Sequence, residues 1–209
     1  TLHLSSAASD VYKRQMLGYE ADDLIASYAK AAIDEQMKVT IVSSDKDLMQ
    51  LVREDVSMLD TMKNRLINKK EVIEKFGVEP DRVIDVQSLA GDSVDNIPGV
   101  PGIGIKTASL LINEYNNLDN LLEKASNIKQ NKRRESLIEF ADQARLSRKL
   151  VTLKEDIELP IPIRNIEIQS INPEKLISFL KGMEFKTLTE KKARDCLLYT
   201  SDAADDKCS

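Results

Sequence analysis

The chain has 209 residues, 42% of them hydrophobic and 31% charged, and carries a formal net charge of −5. That profile is globular, and it gives no global positive field, so any nucleic-acid contact must come from local patches. No apolar run is long enough to span a bilayer and no secretory signal is seen, so the expectation is a cytoplasmic protein without membrane contact, and a monomer, since no oligomerisation signal is present.

Taken in order, the first stretch is Ser5 to Gln15. One codon choice for it, reverse-complemented and read one nucleotide out of frame, translates as Cys-Leu-Leu-Tyr-Thr-Ser-Asp-Ala-Ala-Asp. That string stands at positions 196–205. Residues 1–15 and 196–209 therefore read as opposite-strand translations of one sequencing-adapter DNA, artefactual tails to be set aside from fold reasoning. Both cysteines, Cys196 and Cys208, and the only histidine, His3, fall in these tails. The segment from Met16 to Asp195 is left without either residue type. Cysteine nucleophiles, disulfides, Cys/His zinc sites and a histidine base are excluded within it. Catalysis there must rest on Asp, Glu, Lys, Arg, Tyr, Ser or Thr.

Gly18 to Ala32 predicts a helix with Leu24, Ile25, Tyr28 and Ala32 inward and Glu20, Asp22 and Asp23 in its first turn. Capping and dipole complementarity account for acids at that place, though three exceed what a cap needs. Lys38–Ser43 reads as a buried strand, running into Asp45 and Asp47, where open α/β sheets place their ligands. Either acid could instead cap a helix starting near Leu48. Val56–Asp60 reads as a strand, Asn68–Gly77 as a helix with a C-terminal glycine, and Asp81–Ala90 as a helix with Val83, Ile84, Val86 and Leu89 inward. Alternation of helix and strand predicts a parallel α/β sheet over 16–90. From Gly91 the strand signals stop, and Thr107–Tyr115, Leu118–Ala125 and Asn131–Val151 read as helices of a second region, 91–188, with a last helix over Pro173–Met183. Lys129, Lys132, Arg133, Arg134, Arg145, Arg148, Lys149 and Lys154 give that region a basic face suited to backbone phosphates or simply to solvent.

The two regions meet at Gly91–Ala108. Asp92 and Asp95 stand one helical turn apart and can share a hard cation. Gly99, Gly102 and Gly104 then punctuate a turn that opens a helix, with Lys106 and Thr107 at its mouth. Glycines before a helix let backbone N–H groups approach a phosphate, and the helix N-terminus favours the anion. A cation site beside a phosphate cradle points to work on a phosphodiester. In all, Glu20, Asp22, Asp23, Asp45, Asp47, Asp92 and Asp95 come from three places in the chain. Such a gathering of like charges needs cations, and two divalent ions suit phosphodiester hydrolysis.

The motifs Gly-Tyr-Glu-Ala-Asp-Asp (18–23), Ser-Ser-Asp-Lys-Asp-Leu (43–48) and Gly-Asp-Ser-Val-Asp-Asn-Ile-Pro-Gly-Val-Pro-Gly-Ile-Gly (91–104) closely resemble the signatures of the bacterial 5′ nuclease family, in the form of the 5′–3′ exonuclease domain of DNA polymerase I. The resemblance runs from about Gly18 to Leu188. It implies a PIN-like parallel-sheet nuclease core followed by an all-α domain with a helix-three-turn-helix element. It implies metal ligation by Glu20, Asp22, Asp23, Asp45, Asp47, Asp92 and Asp95, with Asp22, Asp45 and Asp47 central to catalysis and two Mg²⁺ or Mn²⁺ ions. Gly99, Gly102, Ile103, Gly104, Lys106 and Thr107 match the element that grips duplex DNA and holds K⁺. The implied reaction is cleavage of branched or nicked duplexes at 5′ ends and flaps, including RNA primers on DNA, in replication and repair. The family's first strand with its Asp-Gly motif, the metal-binding Asp that follows and the basic helical arch do not precede Met16, which implies a truncated chain that is inactive by itself. Two competing readings are a catalytically incompetent, structure-selective DNA-binding module and an RNA-directed single-domain nuclease, the latter at odds with the glycine turn.

Overall fold

A computed structural model of the chain describes residues 16–166 and 172–191. They fall into two units, Met16–Ile163 and the described part of the unit beginning at Arg164. The tail assignments, 1–15 and 196–209, lie outside the described residues.

Helix α1, Ala21–Asp34, starts at Glu20, whose side chain accepts from the Asp23 N–H while Asp23 answers the Glu20 N–H. This reciprocal cap satisfies two of the donors that every helix start leaves open. Strand β1, Val39–Val42, pairs in parallel with β2, Val56–Asp60. A 3₁₀ turn, Asp47–Leu51, makes the connection. Strand β3, Arg65–Ile67, returns antiparallel to β2, so the sheet is mixed, in the order β1-β2-β3. Helix α2, Lys69–Phe76, ends at Gly77 with φ +72°, where its N–H caps the Ile73 carbonyl. A 3₁₀ turn, Pro80–Arg82, leads into α3, Val83–Ala90.

Four helices complete this unit: α4, Ile105–Tyr115; α5, Leu118–Glu123; α6, Asn131–Glu139; and α7, Ala141–Val151. One apolar cluster runs through it, from Ala26, Met58 and Phe76 to Leu89, Ile112, Leu121, Leu137 and Ala144. Helix α3 lies at its middle, packed on both α4 and α7. In the second unit, α8, Pro173–Gly182, has Pro173 in its first turn and Asn172 accepting from the Lys175 N–H.

Several expectations are corrected. The strand at Lys38–Ser43 is not buried: only Ile41 is, and Val42 is 64% exposed, because β1 is the outer strand of the sheet among the described residues. The helix expected from Asn131 to Val151 breaks at Phe140 (φ −103°, ψ 22°), whose half-buried ring packs on the core. Near Leu48 there is a single 3₁₀ turn rather than a longer helix. Half of the supposed basic face is engaged internally. Arg148 forks onto Asp119 at 2.8 and 3.1 Å, Arg145 pairs with Asp142, Arg134 donates to the Ile128 carbonyl, and the Lys154 ammonium lies 5.1 Å from the Tyr19 ring centroid.

Two measurements test this packing. Leu89 is fully buried in α3, so Leu89→Ala is expected to lower unfolding free energy by about 2–5 kcal/mol in a denaturant titration. The Arg148 fork holds the Asp119 carboxyl below the usual carboxylate range. A depressed carboxylate stabilises above its unfolded pKa, and that contribution is lost as pH falls through the folded value. Asp119→Asn is therefore expected to cost up to about 1 kcal/mol at pH 7, with the deficit closing below pH ~4 as wild type loses the same charge.

Candidate metal centre and the glycine turn

Strand β1 ends at Val42, and the Oγ of the next residue, Ser43, accepts from the Asp45 N–H while Asp45 Oδ1 accepts from the Asp47 N–H, both at 3.0 Å. These two bonds set a tight turn that presents Asp45, Lys46 and Asp47 at the carboxyl end of the sheet. Helix α3 delivers the other side. It stops at Gly91 (φ +69°), and the next residue, Asp92, exchanges backbone hydrogen bonds with Ile97 at 2.7 and 2.9 Å. Asp92 Oδ1 also accepts from the Val94 N–H, closing a small loop that carries Asp95. Asp47, Asp92 and Asp95 each bring a carboxylate oxygen to within 4.8 Å of the other two. Residues 45 positions apart thus converge through one helix and one turn.

The other acids surround this triplet differently. Asp22 is pushed above the ordinary aspartate range, first by burial and then by the charges of Asp45, Asp47, Glu20 and Asp23. Asp47 is pushed up as well, mainly by burial, with Gln87 pulling the other way. Asp92 is held low by Lys46, which forms an ion pair with it, and the Lys46 ammonium is correspondingly raised by that bond. Glu20 caps α1, and Asp23 both caps it and accepts from the Lys154 N–H at 3.0 Å. Asp45 is exposed. The tight triplet is therefore Asp47, Asp92 and Asp95, while Asp22 and its neighbours bear on it through charge. Oxygen donors in this number, two of them resisting ionisation, fit a hard divalent cation.

The glycine turn is fixed by contact between two backbones. Gly99 (φ +58°) lies so close to Gly91 that a Cβ on it would stand 2.4 Å from the Gly91 nitrogen. Its N–H donates to Ser147 Oγ at 3.1 Å and its carbonyl accepts from Gln143, so α7 holds it from below. Ile103 is buried as the turn's anchor. Gly102 (φ +80°) and Gly104 face open space, and Gly104 is the residue from which α4 begins. Lys106 is exposed and Thr107 half-buried in the first turn of α4. Backbone donors and a cation therefore sit on an uncluttered surface, as an anionic backbone would require.

Sequence reasoning did not identify Gln87, whose amide donates to Asp47, nor the roles of Ser147 and Gln143 behind the turn. The signal for Gln87 was a polar residue inside an otherwise apolar helical stripe.

Comparison with known proteins agrees with this architecture. Two family models match: 5′-3′ exonuclease, N-terminal resolvase-like domain, over residues 4–77, and 5′-3′ exonuclease, C-terminal SAM fold, over residues 78–174. The chain is 54% identical to DNA polymerase I of Rhizobium leguminosarum over 86% of its own length and 18% of that protein. It is 37% identical to a 5′-3′ exonuclease of Aquifex aeolicus over 85% of the chain and 60% of that protein. A solved T5 5′-exonuclease with zinc ions bound superposes with a TM-score of 0.61 at 26% identity, over 80% of this chain and 59% of that one. The chain thus spans about a fifth of the DNA polymerase I relative and three-fifths of the shorter exonuclease. Its first portion matches the resolvase-like domain and its second the SAM-fold domain of one family, and the chain belongs to the 5′-3′ exonucleases of the DNA polymerase I type.

Proposed function

We propose that the domain to which this chain belongs hydrolyses phosphodiesters at 5′ ends and flaps of branched or nicked duplex DNA, RNA primers on DNA included, as a cytoplasmic monomer serving replication and repair. The observation that carries the reading is the convergence of Asp47, Asp92 and Asp95 oxygens within 4.8 Å. Residues 16–90 supply the nuclease core and 91–188 the grip on DNA. Glu20, Asp22, Asp23, Asp45, Asp47, Asp92 and Asp95 would hold two Mg²⁺ or Mn²⁺ ions, with Asp22, Asp45 and Asp47 central. Bound there, divalent ions lower the pKa of an attacking water and stabilise charge on the phosphate.

The chain's own residues do the rest. Lys46 neutralises Asp92 and keeps a positive charge beside the carboxylates. The open backbone at Gly102 and Gly104, fixed through Gly99 and anchored by the buried Ile103, meets the phosphates of the duplex, with K⁺ as its companion ion. Lys106 and Thr107 add a charge and a hydroxyl at the same edge. The relatives' names support the chemistry: DNA polymerase I and 5′-3′ exonuclease on the sequence side, and a zinc-bound 5′-exonuclease on the structural side.

A second reading, binding without cleavage, is favoured for the isolated chain by one feature. The Lys46 ammonium already pairs with Asp92 inside the acidic triplet and would compete there with a bound cation. Mixing the chain with a 5′-flapped duplex and Mg²⁺ separates the two. Cleavage that falls at least about 100-fold in Asp47→Asn, with duplex affinity kept, supports hydrolysis. Duplex binding with no cleavage by wild type supports the second reading. In either case Lys106→Ala is expected to weaken duplex binding evenly across sequences and to reduce the slope of log affinity against log salt by about 1. An unchanged slope would remove Lys106 from the interface.

A further inference from the structure

Gln87 lies on α3 and is 5% exposed, between the buried Val86 and Ser88. Its Nε2 donates to Asp47 Oδ1 in a short hydrogen bond. Its Oε1 is buried and has no hydrogen-bond partner among the described residues. A buried amide acceptor left unpaired keeps the full cost of its lost hydration. Turning the amide over does not relieve the cost, because Oε1 would then face the Asp47 carboxylate, acceptor against acceptor. Asp47 therefore dictates which way the amide points.

We infer that Gln87 is a positioning residue of this centre: its amide nitrogen fixes the rotamer of Asp47 and so holds that carboxylate beside Asp92 and Asp95. This rests on the reading of the triplet as a metal site. With Oδ1 held by Gln87, the remaining oxygen of Asp47 is directed rather than free to rotate. Outer partners of this kind orient ligands and tune their affinity.

The test is Mn²⁺ titration of the full chain, followed by electron paramagnetic resonance, together with thermal unfolding in EDTA. Gln87→Leu removes both the donor and the orphan acceptor at similar size. The expected result is a Mn²⁺ dissociation constant raised about 10–100-fold, with the metal-free unfolding temperature unchanged or higher. Gln87→Met serves as a second variant of similar length should leucine not fold. Unchanged Mn²⁺ affinity in a folded variant overturns the inference whatever the unfolding temperature does, because a residue that only supports the core would give that result. Asp47→Asn separates this failure from a deeper one. If wild type and Asp47→Asn bind Mn²⁺ alike, the acidic centre itself is not the metal site, and the role of Gln87 falls with it.

Discussion

The contact on which the most depends is that of Gly91 against Gly99. Two backbones meet where side chains would normally hold them apart: a Cβ on Gly91 would lie 2.6 Å from the Ile97 carbonyl oxygen, and one on Gly99 2.4 Å from the Gly91 nitrogen. Both residues also take positive φ, which any other side chain resists. This one contact ends α3, folds the Asp92–Ile97 loop back on itself and launches the glycine turn. The acids leave on one side of it and the open backbone of Gly102 and Gly104 on the other. Their spacing is therefore set by chain geometry and not by flexible side chains. Helix α7 secures the contact through Ser147 and Gln143, which explains why two polar residues of a helix face inward.

Charge supplies the second constraint. Asp22 and Asp47 are both pushed toward their neutral forms, while Asp92 is held ionised by Lys46. The centre is thus divided between a repelling group that calls for cations and a carboxylate already matched by one. Lys46 lies between two of the acids in sequence, and its ammonium reaches the third motif across the fold. Burial makes these charges expensive to leave unmatched, and a divalent cation between them would offset that expense.

Much of this was legible in the chain. The three motifs, the αL glycine at position 77 and the strand Val56–Asp60 are all local signals, and local chemistry determines them. What escaped was non-local or weakly patterned. Strand β3 is three residues long, led by an arginine and preceded by a lysine and an asparagine, and is held by pairing with β2 rather than by propensity. The break at Phe140 has neither glycine nor proline to announce it. Arg148 reads as a free basic residue until Asp119, 29 positions away, is seen beside it. Gln87 interrupts an apolar stripe, and a stripe alone cannot say that the interruption serves an acid on another element.

The outer edge of β1 has a consequence for how the protein behaves in a tube. Its backbone donors and acceptors face outward among the described residues, and Val42 leaves apolar surface beside them. An open strand of this kind is a template: it can take up an extended segment from any chain that reaches it, another copy included. A short complementary peptide added in excess would compete for that edge with any such segment.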